Sequence, residues 1–178
     1  KECYNPIILE NVLNEKVSNL FKEYISYGIK NNFFQLGDKQ SNRYKAHNET
    51  FTRFIHFELL ELIEHITNRK LKPTYTYLSA YIKDANLPPH TDREDCEYTV
   101  SFIIDKPKNL EWDIYYHKVT QKEKYKGRYE ITPDKEECIG LDCNSNGIIM
   151  FSGTDHIHFR EKLEGDYCNI VLFHYKSV

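Results

Sequence analysis

Thr74-Tyr75-Thr76-Tyr77-Leu78-Ser79-Ala80-Tyr81-Ile82 and Cys96-Glu97-Tyr98-Thr99-Val100-Ser101-Phe102-Ile103-Ile104-Asp105 are the two stretches that decide the fold. Both are rich in aromatic and β-branched residues, which are favoured in strands. In both, the residue types alternate with a period of two, so that successive side chains lie on opposite faces. The two stretches therefore predict half-buried β-strands.

Further strands are expected toward the C-terminus. Shorter stretches of the same kind are Trp112–Tyr116, Arg128–Ile131, Gly147–Phe151 and Cys168–Tyr175. The segment 118–126 is densely charged and predicts a solvated loop. Several short strands separated by polar turns favour a β-sandwich or jelly roll.

Two helices are predicted before the strands. Apolar residues with helical spacing form a first stripe: Leu13, Val17, Leu20, Phe21, Tyr24 and Ile25. Asn14 is a plausible N-cap, and Gly28 is expected to end this helix. A second helix is predicted from about Phe51 to Ile66, with Pro73 beyond its end as a stop signal.

The sequence thus predicts a mainly β protein with N-terminal helices. We expect a double-stranded β-helix, or jelly roll, with the helices packed on one sheet. Residues 1–178 would form a single domain, with 1–72 as a helical support region and 73–178 as the jelly-roll core.

Composition excludes several classes of protein. Lys plus Arg number 24 and Asp plus Glu 27, a net charge of −3 that argues against binding nucleic acid through phosphate contacts. No apolar run approaches the ~18 residues that a membrane-spanning helix needs. Five cysteines at irregular spacing do not resemble a disulfide framework, so we expect a reducing, cytoplasmic location. The oligomeric state is left open.

His90-Thr91-Asp92 is the first candidate for chemistry. In an extended segment, residues two apart point to the same face, so His90 and Asp92 could direct a nitrogen and an oxygen at one point. A pair of this kind also arises by chance. On its own the pair favours a solvated turn that contains a local hydrogen bond over a functional site.

Two more histidines, His156 and His158, follow the predicted strand Gly147–Phe151. Two histidines and one carboxylate are the facial triad of non-haem Fe(II) oxygenases, and the same set accepts Zn or Mn. Three protein ligands leave the other coordination positions open to small molecules. The third ligand must come from a distant strand, because His90 and Asp92 cannot close the site themselves.

The sequence resembles the 2-oxoglutarate and Fe(II)-dependent dioxygenases, in particular their prolyl-4-hydroxylase-like branch. The resemblance spans 73–176. It rests on the tyrosine-rich stretch from Pro73 to Tyr81, on the His-x-Asp segment 90–97, and on an ending typical of a bacterial and viral subgroup. That ending is His158-Phe159-Arg160-Glu161 followed by Phe173-His174-Tyr175.

The resemblance implies a jelly roll whose metal lies between two sheets. His90, Asp92 and His158 would be the catalytic metal ligands and would hold Fe(II). The enzyme would convert 2-oxoglutarate and O2 to succinate and CO2, and would hydroxylate an unactivated C–H of a peptidyl residue, an amino acid or a small metabolite. Related halogenases have a small residue in place of the carboxylate, so Asp92 favours hydroxylation or desaturation.

The resemblance is incomplete where the far carboxylate of 2-oxoglutarate should bind. The family has a Lys or Arg about ten residues after the distal histidine, and a guanidinium suits a carboxylate well. Here that zone holds Tyr167, Cys168 and Asn169. Arg160 is the nearest alternative, and Tyr81 could donate to the same carboxylate. A surface salt bridge for Arg160 and a core position for Tyr81 are the competing interpretations.

Arg93 and His156 are candidates for contact with substrate. Arg93 could instead pair with a nearby acid, and His156 competes with His158 as metal ligand, although the match to His-Phe-Arg-Glu favours His158. Two other functions stay open: a different metal enzyme on a cupin-like barrel, and a jelly-roll binding module without catalysis.

Overall fold

The computed structural model describes residues 5–38, 40–120 and 132–178. Its helices are α1 (Glu15–Lys30), α2 (Thr50–Glu58) and α3 (Leu60–Thr67). Its strands are β1 (Ile7–Leu9), β2 (Gln35–Leu36), β3 (Arg43–His47), β4 (Leu71–Ile82), β5 (Leu87–His90), β6 (Tyr98–Asp105), β7 (Ile114–His117), β8 (Cys138–Leu141), β9 (Gly147–Phe151), β10 (His158–Arg160) and β11 (Tyr167–Ser177).

The strands form two antiparallel sheets. The larger sheet has the order β1-β9-β6-β11-β4-β3-β2, and the smaller has the order β5-β10-β7-β8. Consecutive strands often lie in different sheets, as β4, β5 and β6 do, which is the connectivity of a jelly roll. The predicted fold class is therefore confirmed.

The helices cover the outer face of the larger sheet. Phe21 and Ile25 of α1 and Ile55 of α2 are buried in one core with Phe102 of β6 and Phe173 of β11. A second core lies between the two sheets and includes Tyr81, Ile103, Ile149 and Ile170 from the larger sheet and Ile114 from the smaller. The alternation of β4, β6 and β11 therefore divides their side chains between two apolar layers.

The predicted helices are present, with one change. Asn14 caps α1, and its side chain accepts a hydrogen bond from the Val17 amide, as predicted. The helix ends at Lys30, two residues beyond the expected end at Gly28. The second predicted helix is divided into α2 and α3, which meet at Leu59. Leu59 is itself buried, so the junction packs into the core together with both segments.

Pro73 lies inside a strand rather than in the connection after a helix. β4 begins at Leu71, and Pro73 faces Tyr175 of β11 where the register of that pair is irregular. Because proline has no N–H to donate, a strand accommodates it at such an irregularity. Pairing with β11 therefore makes β4 begin at Leu71, before the predicted start at Thr74.

The support region contributes more than helices. β1, β2 and β3 come from 1–72 and join both edges of the larger sheet. The sequence analysis did not predict them, nor the short strands β5, β8 and β10. The predicted strand Arg128–Ile131 and most of the predicted loop 118–126 lie outside the described residues.

The state of the cysteines and the hydropathy of the helices bear on the expectations from composition. The described cysteines, Cys96, Cys138, Cys143 and Cys168, are all buried free thiols. Within the described ranges, no helix combines the length and the hydropathy that crossing a membrane requires.

The packing of α1 on the larger sheet gives a test of this architecture. Phe21 is fully buried and meets the rings of Phe51 and Phe102 at centroid distances of 5.0 and 6.1 Å. Phe21→Ala should lower the free energy of unfolding by about 3–5 kcal/mol, because it removes a core aromatic ring. Phe33→Ala, at a side chain 63% exposed, is the control and should cost less than about 0.5 kcal/mol. Urea denaturation measures both, and equal losses would contradict this account of the core.

Candidate active site

Strand pairing brings the three candidate ligands together. His158 at the start of β10 lies directly opposite His90 at the end of β5, and the ring centroids are 4.3 Å apart. Asp92 follows β5, and its amide donates to Gly153 O at 2.8 Å. The backbone thus places two imidazoles and a carboxylate at one point between the sheets.

The ligand atoms of this triad have the spacing of a metal site. Asp92 Oδ1 lies 3.5 Å from His90 Nε2 and 3.6 Å from His158 Nε2. The three atoms all lie within 4.8 Å of one another. Neighbouring ligands about 2.1 Å from one metal ion would be about 3 Å apart, so a small contraction would complete the site.

The orientation of both imidazoles is determined by their second nitrogens. His90 Nδ1 bonds Pro88 O at 2.8 Å, and His158 Nδ1 bonds His156 O at 3.1 Å. A carbonyl accepts only from a protonated nitrogen, so the lone pair of each ring is on Nε2 and points at the other ligands. This arrangement is typical of histidines that bind metal.

The protonation states also suit a metal cation. Burial acts to raise the pKa of Asp92, but its interactions with His158 and His90 hold that pKa well below the usual range. Burial, and then His90, lower the pKa of His158. An ionised carboxylate and a neutral imidazole are the forms that bind metals.

Thr99 and Gly153 hold the carboxylate in position. Thr99 Oγ1 donates to Asp92 Oδ2 at 2.8 Å, which leaves Oδ1 to face the histidines. A Cβ added at Gly153 would lie 2.0 Å from Oδ2, so a residue with a side chain would displace the carboxylate. The sequence patterns indicated neither residue, because the importance of both depends on a contact between distant parts of the chain.

A cavity of about 480 Å³ lies beside the triad, between the sheets. All of the predicted site residues except His156 line it. They are Tyr81, His90, Asp92, Arg93, His158 and Arg160. The structure therefore brings six of the seven candidate residues to one space.

Arg160 is buried in the wall of this cavity. Its Nη1 donates to Trp112 O, and its guanidinium lies over the Trp112 ring, 4.6 Å from the centroid. Its Nη2 has no partner, and it is the only buried side-chain nitrogen or oxygen in the described ranges of which this is true. A buried unpaired cation is costly, and a carboxylate in the cavity would satisfy it.

Arg43 is a cavity residue that the sequence analysis missed. It lies on β3, within the region predicted to be helical, and its Nη1 donates to Tyr81 Oη at 2.8 Å. Asp38 pairs with the same guanidinium at 2.9 Å. Since arginine only donates hydrogen bonds, the proton of the Tyr81 hydroxyl is available to another acceptor. The alternation of residue types in β3 was the available signal, but a strand of five residues is too short for that pattern to be distinctive.

The two residues predicted to contact substrate differ in position. Arg93 is exposed and lines the cavity. His156 is buried outside the cavity lining, where its ring stacks on Tyr116 at 4.2 Å and its Nδ1 bonds His117 O at 2.7 Å. Its backbone carbonyl orients His158. The geometry therefore gives the His156 side chain a packing position rather than one that faces the cavity.

Comparisons with known proteins agree on the fold. No family model and no curated protein sequence matches the chain. A prolyl hydroxylase from Trichoplax adhaerens, solved with a hypoxia inducible factor peptide fragment, is similar with a TM-score of 0.69 at 12% identity, over 96% of this chain and 83% of that one. HygX from Streptomyces hygroscopicus, solved with nickel, 2-oxoglutarate and hygromycin B, has a TM-score of 0.65 at 11% identity, over 97% and 83%.

A third similar structure is SnoN, an α-ketoglutarate-dependent non-haem epimerase of nogalamycin biosynthesis. Its TM-score is 0.73 at 8% identity, over 97% of this chain and 78% of that one. The chain therefore has the fold of the 2-oxoglutarate and Fe(II)-dependent oxygenases, including prolyl hydroxylases, as the sequence resemblance implied. At these identities the likeness concerns the fold and leaves the reaction open.

Thr99 gives a test of the metal site that needs no substrate. Thr99→Val should weaken binding of Co(II) or Zn(II) about 10- to 100-fold, because Asp92 loses the donor that holds Oδ2. Thr99→Ser keeps the hydroxyl and is the matched control. Calorimetric titration of the metal-free protein measures both affinities. Equal affinities for the two variants would show that Thr99 does not position the carboxylate.

Proposed function

We propose that this protein is an Fe(II)- and 2-oxoglutarate-dependent dioxygenase that hydroxylates a C–H of a peptidyl residue, an amino acid or a small metabolite. The observation that carries the proposal is the pairing of two features in one cavity. The His90, Asp92 and His158 triad faces it, and an unpartnered buried guanidinium, Arg160, lies in its wall. A metal ion would complete the triad, and a carboxylate would pair with Arg160.

In this reaction, the protein's side chains would bind the metal ion and leave room for the reactants. His90, Asp92 and His158 would hold Fe(II), and as only three ligands they would leave the remaining positions open. When bound, Fe(II) supplies oxidation of a substrate C–H by O2, coupled to conversion of 2-oxoglutarate to succinate and CO2. Asp92 occupies the position that halogenases leave vacant for halide, which supports hydroxylation.

Arg160 and Tyr81 would bind the far carboxylate of 2-oxoglutarate. Arg160 offers the free Nη2 donor, and Tyr81 can offer its proton because Arg43 already donates to its oxygen. Both side chains contact Trp112: the Tyr81 ring lies 4.9 Å from it edge-on, and the Arg160 guanidinium 4.6 Å above it. Their contacts with the same Trp112 side chain support a shared role for the two donors.

Substrate would enter at the exposed side. Arg93 is the predicted contact there, since it is exposed, lines the cavity and follows the metal carboxylate in sequence. The similar structures with bound peptide and with bound hygromycin B support both classes of substrate, a peptidyl residue and a small molecule.

The first experiment is anaerobic addition of Fe(II) and 2-oxoglutarate. The parent protein should give the visible charge-transfer band of a metal-chelated 2-oxoacid, and His90→Ala, Asp92→Ala and His158→Ala should not. If the folded, metal-loaded parent gives no band at any 2-oxoglutarate concentration, the proposal is wrong. A different metal enzyme or a binding module would then be favoured.

The role of Arg160 is tested by titrating the same band. Arg160→Met should weaken 2-oxoglutarate binding by roughly 10- to 100-fold, the loss expected for a hydrogen bond to a charged group. Arg69→Met, at an exposed arginine that does not line the cavity, is the control and should bind like the parent. Unchanged affinity in Arg160→Met would assign the far carboxylate to another residue.

Arg43 should act on 2-oxoglutarate only through Tyr81. Arg43→Met and Tyr81→Phe should each weaken binding, but Arg43→Met should add little in the Tyr81→Phe background. Neither should affect binding of 2-oxobutyrate, which lacks the far carboxylate. Additive losses would mean that Arg43 acts independently of Tyr81, and equal losses for both oxoacids would mean that it only stabilises the fold.

A further inference from the structure

A chain of hydrogen bonds leads from the metal-facing carboxylate to His174. Thr99 Oγ1 lies 2.8 Å from Asp92 Oδ2, and His174 Nδ1 lies 3.2 Å from Thr99 Oγ1. His174 of β11 pairs directly with Thr99 of β6, and its ring packs on Tyr75 with centroids 4.6 Å apart. These contacts restrain the imidazole to one orientation.

The positions of the protons follow from the ionised state of Asp92. A carboxylate can only accept, so the single hydroxyl proton of Thr99 is donated to Asp92 Oδ2. The Cys96 carbonyl is a weaker competitor, because it lies 3.5 Å from Thr99 Oγ1. Toward His174 the Thr99 oxygen can then only accept. The nitrogen that faces it, His174 Nδ1, must therefore carry a proton.

The second nitrogen of His174, Nε2, is in contact with the cavity. It has no hydrogen-bond partner among the described residues, although His174 is almost fully buried. Arg160 Nη2 is the only fully buried side-chain nitrogen or oxygen without a partner in those ranges, so Nε2 must touch open space. His174 lines the cavity beside the triad, and that is the space it meets.

The imidazole of His174 is neutral at physiological pH. Burial lowers its pKa to about 4, although Asp92 acts to raise it. A cation bound at the triad would oppose protonation further. A neutral ring that carries its proton on Nδ1 has a lone pair on Nε2.

We propose that His174 is a substrate-binding residue whose bare Nε2 accepts a hydrogen bond, so that the substrate carries an O–H or N–H donor close to the oxidised carbon. This inference rests on the proposed function. His174 lines the same cavity as the triad, and one of its ring nitrogens lies within 4.8 Å of an Asp92 carboxylate oxygen. A donor bound by Nε2 in that cavity would be held beside the metal site, and this would select which C–H faces the metal.

The state of the imidazole can be measured without metal, co-substrate or substrate. Long-range 1H–15N spectra of the 15N-labelled full chain distinguish protonated from bare ring nitrogens, and loss of one set of signals in His174→Asn assigns them. We expect a protonated Nδ1 and a bare Nε2 at pH 7. In Thr99→Val, which removes the acceptor for Nδ1, this preference should weaken. A protonated Nε2 in the parent would overturn the inference.

The binding role is tested with matched probes on the Zn(II) and 2-oxoglutarate complex of the full chain. Cyclopentanol and cyclohexanol each carry an O–H donor, and their methyl ethers do not. Each alcohol should bind about 2- to 10-fold more tightly than its ether, the range for one hydrogen bond. It should also shift the Nε2 resonance. Equal responses to alcohols and ethers, including no response to either, would overturn the role.

Two variants distinguish the role of Nε2 as an acceptor from the role of Nδ1, which supports Asp92 through Thr99. In His174→Asn, the amide nitrogen can replace Nδ1 as donor to Thr99, but nothing replaces Nε2. Metal affinity should be retained and the preference for alcohols lost. In His174→Gln, the amide reaches the position of Nε2 instead, and the preference should persist in part. A preference for alcohols that survives in His174→Asn would assign the acceptor to another group. Failure of the proposed function is distinct, since it appears as absence of the Fe(II) and 2-oxoglutarate band in the parent.

Discussion

The antiparallel pairing of β10 with β5 is the interaction on which the site depends. It sets His158 opposite His90 and leaves Asp92 two residues beyond, where its carboxylate lies between the two Nε2 atoms. A slip of one residue would turn His158 to the opposite face of the smaller sheet. Because the connection from Asp92 also bonds Gly153 O, the backbone determines all three ligand positions before any metal binds.

The site contains two charged side chains, Asp92 and Arg160, that form no salt bridge with a Lys, Arg, Asp or Glu side chain among the described residues. Among the described residues, Asp92 contacts His90, His158 and the Thr99 hydroxyl, and Arg160 donates to a backbone carbonyl rather than to a carboxylate. Burying an ion without a counterion costs several kcal/mol. Arg43, by contrast, is equally buried but paired with Asp38. Arg43 is therefore suited to positioning Tyr81, whereas Asp92 and Arg160 are suited to binding groups from outside the chain.

The sequence predicted those parts of the fold that short-range patterns determine. Alternation identified β4 and β6, strand-type composition identified β7, β9 and β11, and helical spacing identified α1 with its Asn14 cap. It also predicted the triad, because His-x-Asp and a distal histidine combine with a family resemblance. Arg43, Thr99 and His174 were not predicted as site residues. Each becomes important only through a neighbour on another strand, Tyr81, Asp92 or Thr99, and strand order is not visible in a single sequence.

The choice between His156 and His158 shows the same limit at a single position. Two residues apart on a strand, both could point to one face, and only the motif favoured His158. In the structure, His156 lies in the connection between β9 and β10, and His158 is the first residue of β10. His156 packs on Tyr116, and its carbonyl receives the Nδ1 proton of His158.

The cavity lining offers hydrogen-bonding groups of opposite character, and this bears on selectivity. Beside Trp112, Arg160 Nη2 and the Tyr81 hydroxyl are donors, so they suit an anion. Near the triad, His174 Nε2 is an acceptor, so it suits a neutral donor and disfavours a second carboxylate. A dicarboxylate co-substrate and a hydroxyl- or amide-bearing substrate would thus be directed to different places by the chain itself. The Thr99 hydroxyl links the metal site to this acceptor. It donates its proton to Asp92, so it can only accept from His174 Nδ1, and the lone pair of His174 is therefore on Nε2.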